Sequence, residues 1–355
     1  MTDKMNYKSA ISWFREFEND VDDNYTDENN YSKRNLPWVE RFRPHTLDDV
    51  LSTSDNISEF KTFIEKKQFP HMILYGPPGT GKTSTIKACA RQLYGKNINT
   101  MLLIINASEE RGIQIIRDKV KNFSMTKGIF LKKDAPVFKI VVLDEADSMT
   151  IDAQAILRSV IEKHTKNVRF CLICNYISKI NPAIKSRCTP FRFAPLNLKN
   201  ITLRINNINK ILKLNIKPDG INMLYKISNG DMRKLLNNMQ ATSSIFPVIN
   251  EENVSKFANY PSISNIKKIY KILNESSFKE SFEQINKIIE DNHYNISDLI
   301  KELGEITTTK FINDEIPHSS FENIIRKLSD IETNIALSCN PKIQLQSIIG
   351  IFIMN

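Results

Sequence analysis

Two short runs of this chain hold residue types that together perform phosphate chemistry. The first is Gly76-Pro77-Pro78-Gly79-Thr80-Gly81-Lys82-Thr83, followed by Ser84. Its spacing is that of a phosphate-binding loop. The glycines let the main chain wrap an anion with N–H groups, the lysine gives a point charge to the outer phosphates, and the threonine hydroxyl gives a ligand to Mg²⁺. The second is Ile140-Val141-Val142-Leu143-Asp144-Glu145-Ala146-Asp147, an apolar run ending in adjacent carboxylates. Asp144 suits the Mg²⁺ shell beside Thr83, and Glu145 suits a base that polarises an attacking water. Alone, such a pair is usually a solvated strand end. Downstream of a phosphate loop it reads as the other half of a nucleotide site, whose reaction is phosphoryl transfer to water.

These residues need a strand before the loop and a helix after it. Apolar runs at 71–75, 101–106, 139–143, 169–175 and 191–193 read as strands, and the stretches 84–94, 113–124 and 153–164 as helices. The alternation predicts an α/β domain over 35–197, a parallel sheet with helices on both faces and ligands beyond the carboxyl ends of the strands. After Pro195 the strand signals fade. Segments 198–212, 218–228 and 231–243 carry apolar residues at helical spacing, Ala258-Asn259-Tyr260-Pro261-Ser262 makes a break, and 263–353 is helical again. A small helical domain (198–258) and a second one (259–355) are expected. Residues 1–34 are polar and read as a disordered acidic extension.

The 355 residues are 41% hydrophobic and 25% charged, which excludes collagen-like, mucin-like and wholly disordered chains. Lys and Arg number 49 against 40 Asp and Glu, a formal charge of +9. The first 34 residues are net acidic, so the body is more basic than the total and suits a polyanionic partner. The strongest apolar run, Met101-Leu102-Leu103-Ile104-Ile105, is strand-sized, and the start of the chain lacks a secretory pattern. Five cysteines make no disulfide framework, so the expectation is a soluble protein of a reducing compartment, without a membrane partner. Cys171-Leu172-Ile173-Cys174 lies inside an apolar strand with no second ligand pair, which favours core packing over zinc or redox chemistry. His45, His71, His164, His293 and His318 are dispersed, and no metal beyond Mg²⁺ is expected.

Trp38-Val39-Glu40-Arg41-Phe42-Arg43-Pro44, the phosphate loop, Asn106-Ala107-Ser108-Glu109-Glu110-Arg111-Gly112, Asp144-Glu145-Ala146-Asp147 and Ser186-Arg187-Cys188 follow one another in the order seen in clamp-loader AAA+ ATPases. The chain resembles the small subunits of replication factor C over about residues 36–260, and more weakly beyond. The resemblance implies an AAA+ P-loop NTPase domain, a helical lid and a helical collar that joins subunits. It implies that Val39, Arg43 and Pro44 pack around adenine, that Gly76, Pro77, Pro78, Gly79, Thr80, Gly81, Lys82, Thr83 and Ser84 hold the phosphates, and that Thr83 and Asp144 hold Mg²⁺. Asn175 matches sensor 1, Arg233 in Gly230-Asp231-Met232-Arg233 matches sensor 2, and Arg187 matches the arginine finger aimed at ATP on a neighbouring subunit. Arg111, Arg117 and Lys179 fall where the family tracks DNA phosphates, contacts that give affinity without sequence reading. The chain departs from the family in Glu-Arg-Phe-Arg-Pro for Glu-Lys-Tyr-Arg-Pro, in Glu109-Glu110 for two aspartates, and in Ser159 for an arginine.

The function implied is that of an ATPase subunit in a heteropentamer with one large and three other small subunits. The assembly would open the sliding clamp, PCNA, and load it onto primer–template DNA in replication and repair, in the nucleus or at a viral replication site. A homo-oligomeric AAA+ DNA motor is a second reading and predicts a C-terminal winged helix with a β-hairpin, for which the sequence shows only helical spacing. A non-hydrolysing scaffold that holds ATP is a third, and the complete set of site residues speaks against it.

Overall fold

The computed structural model describes residues 36–51, 54–109, 113–125, 138–337 and 340–354. The acidic extension therefore lies outside the described residues, as does Arg111. The described residues cluster into two compact units, one of those up to Leu212 together with Ser228–Asn237, the other of Lys213–Ile227 together with those from Asn238 onward.

Among the described residues of the first unit, five strands, β1 (Met72–Tyr75), β2 (Leu102–Asn106), β3 (Lys139–Asp144), β4 (Val168–Cys174) and β5 (Thr189–Arg192), form one sheet in the order β2-β3-β4-β1-β5. All four pairings are parallel. The helices are α1 (Trp38–Arg41), α2 (Ser54–Lys66), α3 (Lys82–Tyr94), α4 (Ile98–Met101), α5 (Ile113–Met125), α6 (Ile151–His164), α7 (Pro182–Lys185) and α8 (Leu198–Leu212). The five expected strands are all present. Met101 differs from its expected place: it closes the short helix α4, and the chain turns extended only at Leu102.

Strand side chains alternate between two cores, as the pleat requires. Met72, Leu74, Ile140, Val142, Cys171 and Ile173 pack with Phe60 of α2 and Ile86 of α3. Ile73, Val141, Leu143, Phe170, Leu172 and Cys174 pack with Leu157, Val160 and Ile161 of α6. Cys171 and Cys174 thus belong to cores on opposite faces of the sheet. Burial raises both thiols, Cys174 to about 12, which leaves them protonated packing groups.

The parallel register brings three strand ends to one edge. Tyr75 pairs with Cys174 and Asn106 with Asp144, so the loop after β1, Asn175 after β4 and Asp144 at the end of β3 come from adjacent strands. This is the crevice in which open α/β sheets bind ligands.

Helices continue as α9 (Pro218–Ser228), α10 (Met232–Ile245), α11 (Glu251–Ala258), α12 (Ile263–Glu275), α13 (Phe278–Asn292), α14 (Ile296–Ile312), α15 (His318–Ala336) and α16 (Pro341–Ile353). In the second unit Ile266, Ile269, Leu299, Leu303, Leu328 and Ile349 belong to one core drawn from α12 to α16. Among the described residues after 258 there is no strand, so the β-hairpin of a winged helix is not found there. No described helix is long and apolar enough to cross a membrane.

Candidate functional site

At the carboxyl edge of the sheet lies a cavity of about 280 Å³. Its floor is the loop between β1 and α3. Gly79 and Gly81 hold φ of +68° and +94°, values that favour glycine. At Gly79 the absence of a side chain is also required by space, since a Cβ there would fall 1.7 Å from the Asp231 carboxylate. Gly81 occupies the N-cap of α3 and offers no capping side chain. The first-turn N–H groups of that helix, which no helical carbonyl can satisfy, are open to an anion.

Lys82 is 7% exposed and its ammonium is fully engaged. It donates to the carbonyls of Gly76 (2.7 Å) and Pro77 (2.8 Å) and to Asn175 Oδ1 (3.2 Å). Burial lowers its pKa, the Arg233 cation lowers it further, and Asp144 partly opposes them. Two cations facing each other across a half-buried space are stabilised by a polyanion between them. Thr83 Oγ1 donates to Asp144 Oδ2 at 3.0 Å. A hydroxyl and a carboxylate in contact suit Mg²⁺, which takes one or two protein oxygens and draws others from phosphate and water. Among the described residues no group of three His, Cys, Asp or Glu gathers, so a cation here would need ligands from its substrate.

Glu145 adopts a left-handed conformation (φ 55°, ψ 39°), and its N–H donates to Asp144 Oδ1 at 3.1 Å. The turn puts Glu145 in the cavity wall with Asp144 although the two are adjacent in sequence. Asp147 Oδ2 accepts from the N–H groups of Asn175 (3.1 Å) and Tyr176 (3.2 Å), fixing the end of β4 and with it the Asn175 amide. Just before α10, Asp231 Oδ1 accepts from the N–H groups of Arg233 (2.8 Å) and Lys234 (3.2 Å) and caps that helix. The Met232 N–H donates to the Gly79 carbonyl at 3.2 Å, tying that helix start to the loop.

The structure brings most of the expected residues together. Val39, Arg43, Pro44, Pro78, Gly79, Thr80, Gly81, Lys82, Thr83, Ser84, Asp144, Glu145, Asn175 and Arg233 all line the cavity. Gly76 and Pro77 contribute through the carbonyls that accept from Lys82. Thr80 is 1% exposed and its hydroxyl donates to the Pro77 carbonyl, so it offers a ligand its main chain and not its side chain. The sequence reading missed Asp49, Val50, Leu51, Arg204, Met232 and Leu236 in the lining.

Three residues lie apart from the cavity. Arg187, following α7, donates to the Ala183 carbonyl (2.7 Å) and pairs with Glu162 (2.8 Å), which also accepts from Arg158 (3.1 Å). Arg117 is exposed on α5. Lys179 sits over the Tyr176 ring at 5.2 Å, and its carbonyl accepts from Gln154 (3.0 Å).

Comparison with known proteins agrees with this geometry. The family model described as "ATPase family associated with various cellular activities (AAA)" matches residues 72–196, and "Replication factor C C-terminal domain" matches 261–350. The chain is 44% identical over 320 residues to human replication factor C subunit 5, covering 90% of this chain and 92% of that one. It is 40% identical to replication factor C subunit 3 of Saccharomyces cerevisiae, covering 90% and 93%. A putative replication factor C small subunit of Acanthamoeba polyphaga mimivirus is 44% identical over 77% of this chain and 82% of its own. Among solved structures, the RuvB Holliday junction branch migration motor of Thermotoga maritima shares the fold, with TM-score 0.50 at 15% identity over 69% of this chain and 85% of that one.

Proposed function

Because the chain belongs to the replication factor C small-subunit family of AAA ATPases, we propose that it is an ATP-hydrolysing subunit of a heteropentameric clamp loader. In this reading it joins one large and three other small subunits and opens a sliding clamp of the PCNA type. The ring loads that clamp onto primer–template DNA during replication and repair. Residues 35–197 form the nucleotide-binding domain, 198–258 the lid and 259–355 the collar. The setting is the nucleus, or a viral replication site, since a mimiviral protein is among the relatives.

The observation that carries the proposal is the convergence of Lys82, Thr83, Asp144, Glu145 and Asn175 at one sheet edge. When bound, Mg·ATP supplies the γ-phosphoryl bond that is broken. Lys82 exchanges a carbonyl contact for phosphate oxygens, and Thr83 and Asp144 present oxygens to the metal. Glu145 accepts the proton of the attacking water, while Asn175, fixed through Asp147, orients that water or an outer phosphate. Arg233 meets the phosphates from the start of α10. Val39, Arg43 and Pro44 pack on the base. Arg187, outside its own cavity, acts on the nucleotide of the adjoining subunit. Arg111, Arg117 and Lys179 contact DNA phosphates.

The test is the composition and native mass of the complex that co-purifies with the chain. One larger and three similar-sized AAA chains at equal stoichiometry are expected. A ring of identical copies would sink the clamp-loader reading in favour of a homo-oligomeric motor.

A further inference from the structure

The cavity wall made by residues 38–51 has little structure of its own. It holds one four-residue helix, α1, and otherwise turns and loop. Yet it carries the residues assigned above to the base. Arginines from distant helices hold its main chain in place. Arg204 on α8 donates from Nη2 to the Phe42 carbonyl at 2.9 Å, and its Nη1 lies 4.0 Å from Asp49 Oδ1. The Arg204 and Asp49 side chains are each only 11% exposed. Asp49 is itself anchored, accepting from the N–H (3.2 Å) and hydroxyl (2.8 Å) of Thr46 through its other oxygen. Arg91 on α3 reaches the Pro44 and His45 carbonyls only at 3.5 and 3.4 Å.

A guanidinium so far from water is costly unless its donors are used. Here the donors face a neutral carbonyl and one carboxylate at the limit of pairing distance. Burial lowers the Arg204 pKa, and Asp49 only partly offsets it. Arg204 also forms part of the cavity lining, on the same wall as Phe42 and Asp49. The phosphate loop is held by a separate set of contacts, those of Lys82 and the Gly79–Met232 bond.

The geometry points to Arg204 as the positioning residue for the base wall: it locks the Phe42 carbonyl and the turn through Asp49, so that Val39, Arg43 and Pro44 present a fixed surface to the base of the nucleotide. It acts through those residues, and the phosphates are held without it. This rests on the reading that the cavity takes ATP.

The test titrates the full-length chain calorimetrically with Mg·ATP and, separately, with magnesium tripolyphosphate, which has phosphates and no base. Arg204→Ala is expected to weaken ATP binding by about tenfold or more, the effect of losing one charged hydrogen bond. Tripolyphosphate binding should stay within about twofold of the parent. Arg204→Lys, which keeps the charge on a single donor nitrogen and loses the planar fork, should recover part of the ATP affinity. In the assembled complex the same variants should raise KM for ATP and leave kcat in place.

Equal weakening of both ligands would overturn the proposal, because it reports a loss of fold or of the phosphate site. Unchanged ATP binding would overturn it too. If Arg204→Ala does not fold, Arg204→Lys carries the test through the same selectivity at smaller size. A parent chain that binds tripolyphosphate and ATP with equal affinity has no base wall, and the proposal falls. A parent chain that binds neither removes the ATP reading itself, an outcome distinct from a fault in the role of Arg204.

Discussion

Lys82 shows how a side chain is kept ready by the main chain that precedes it. Its three donors meet two loop carbonyls and Asn175, so the ammonium is held at the mouth of the loop. Replacing it by alanine removes the charge and frees both carbonyls. Lys82→Ala should weaken ATP binding by about a hundredfold or more, as expected for losing a charged group with several hydrogen bonds. Glu145→Gln should behave differently, since it keeps the shape and removes the base. We expect ATP binding to persist while hydrolysis in the assembled complex falls by about 10²–10⁴-fold. Nucleotide binding and single-turnover hydrolysis separate the two variants. Unchanged hydrolysis in Glu145→Gln would favour a scaffold that merely holds ATP. Most of the residues that line the cavity were legible in the sequence, because each belongs to a short run whose residue types suit phosphate chemistry. Asp231 and Arg204 were not. Their roles come from contacts with Gly79 and Phe42, about 150 and 162 residues away along the chain, and no local spacing encodes such a contact.

At the scale of elements, strands were readable because buried parallel strands are continuous apolar runs. Their order was not, since β1 lies between β4 and β5 through crossovers that sequence does not rank. His71, just before β1, marks one seam. Its Nδ1 accepts from the Phe170 N–H of β4 at 3.1 Å, while its buried Nε2 has no partner among the described residues. Burial, and then the Arg169 cation, lower its pKa from 6.5 to about 4. Between those values the unfolded chain binds the proton and the folded chain does not, so stability falls as pH drops through that window. Urea midpoints at about pH 7 and about pH 5 should show the loss, and His71→Gln, which keeps an acceptor and cannot titrate, should flatten it. A parent and variant with equal pH dependence would exclude His71 as the cause. In the second unit, Glu302 on α14 is nearly buried. It accepts from Lys226 of α9 (2.8 Å) and from the Tyr260 hydroxyl (2.6 Å). Glu302→Ala leaves both donors short of a partner, though Lys226 keeps Glu305 at 2.9 Å. A destabilisation of about 3 kcal/mol is expected, the low end for a broken buried pair, and denaturant unfolding measures it.

At the scale of the whole molecule, the proposed nucleotide site sits in a chain that also carries an arginine outside its own cavity. Arg187 does not line the cavity, and its side chain is 34% exposed and bonded to Glu162. One Glu162 oxygen accepts from both Arg187 and Arg158, which lets two cations share a patch of surface that would otherwise repel them. The exposed edges of this set leave donors for an anion brought by another molecule. In the ring of related subunits proposed above, that anion would be the nucleotide of a neighbour. The consequence is a separation between binding and turnover. Arg187→Ala should leave ATP affinity of the isolated full-length chain unchanged. In the reconstituted complex it should lower turnover at the adjoining site, by an amount approaching the roughly 10³-fold lower figure for trans-acting arginines in GTPases. Equilibrium binding to the single chain and steady-state hydrolysis by the complex give the two halves of the answer. A variant that binds ATP weakly as an isolated chain would place Arg187 in its own site, and a complex with unchanged turnover would remove it from catalysis altogether.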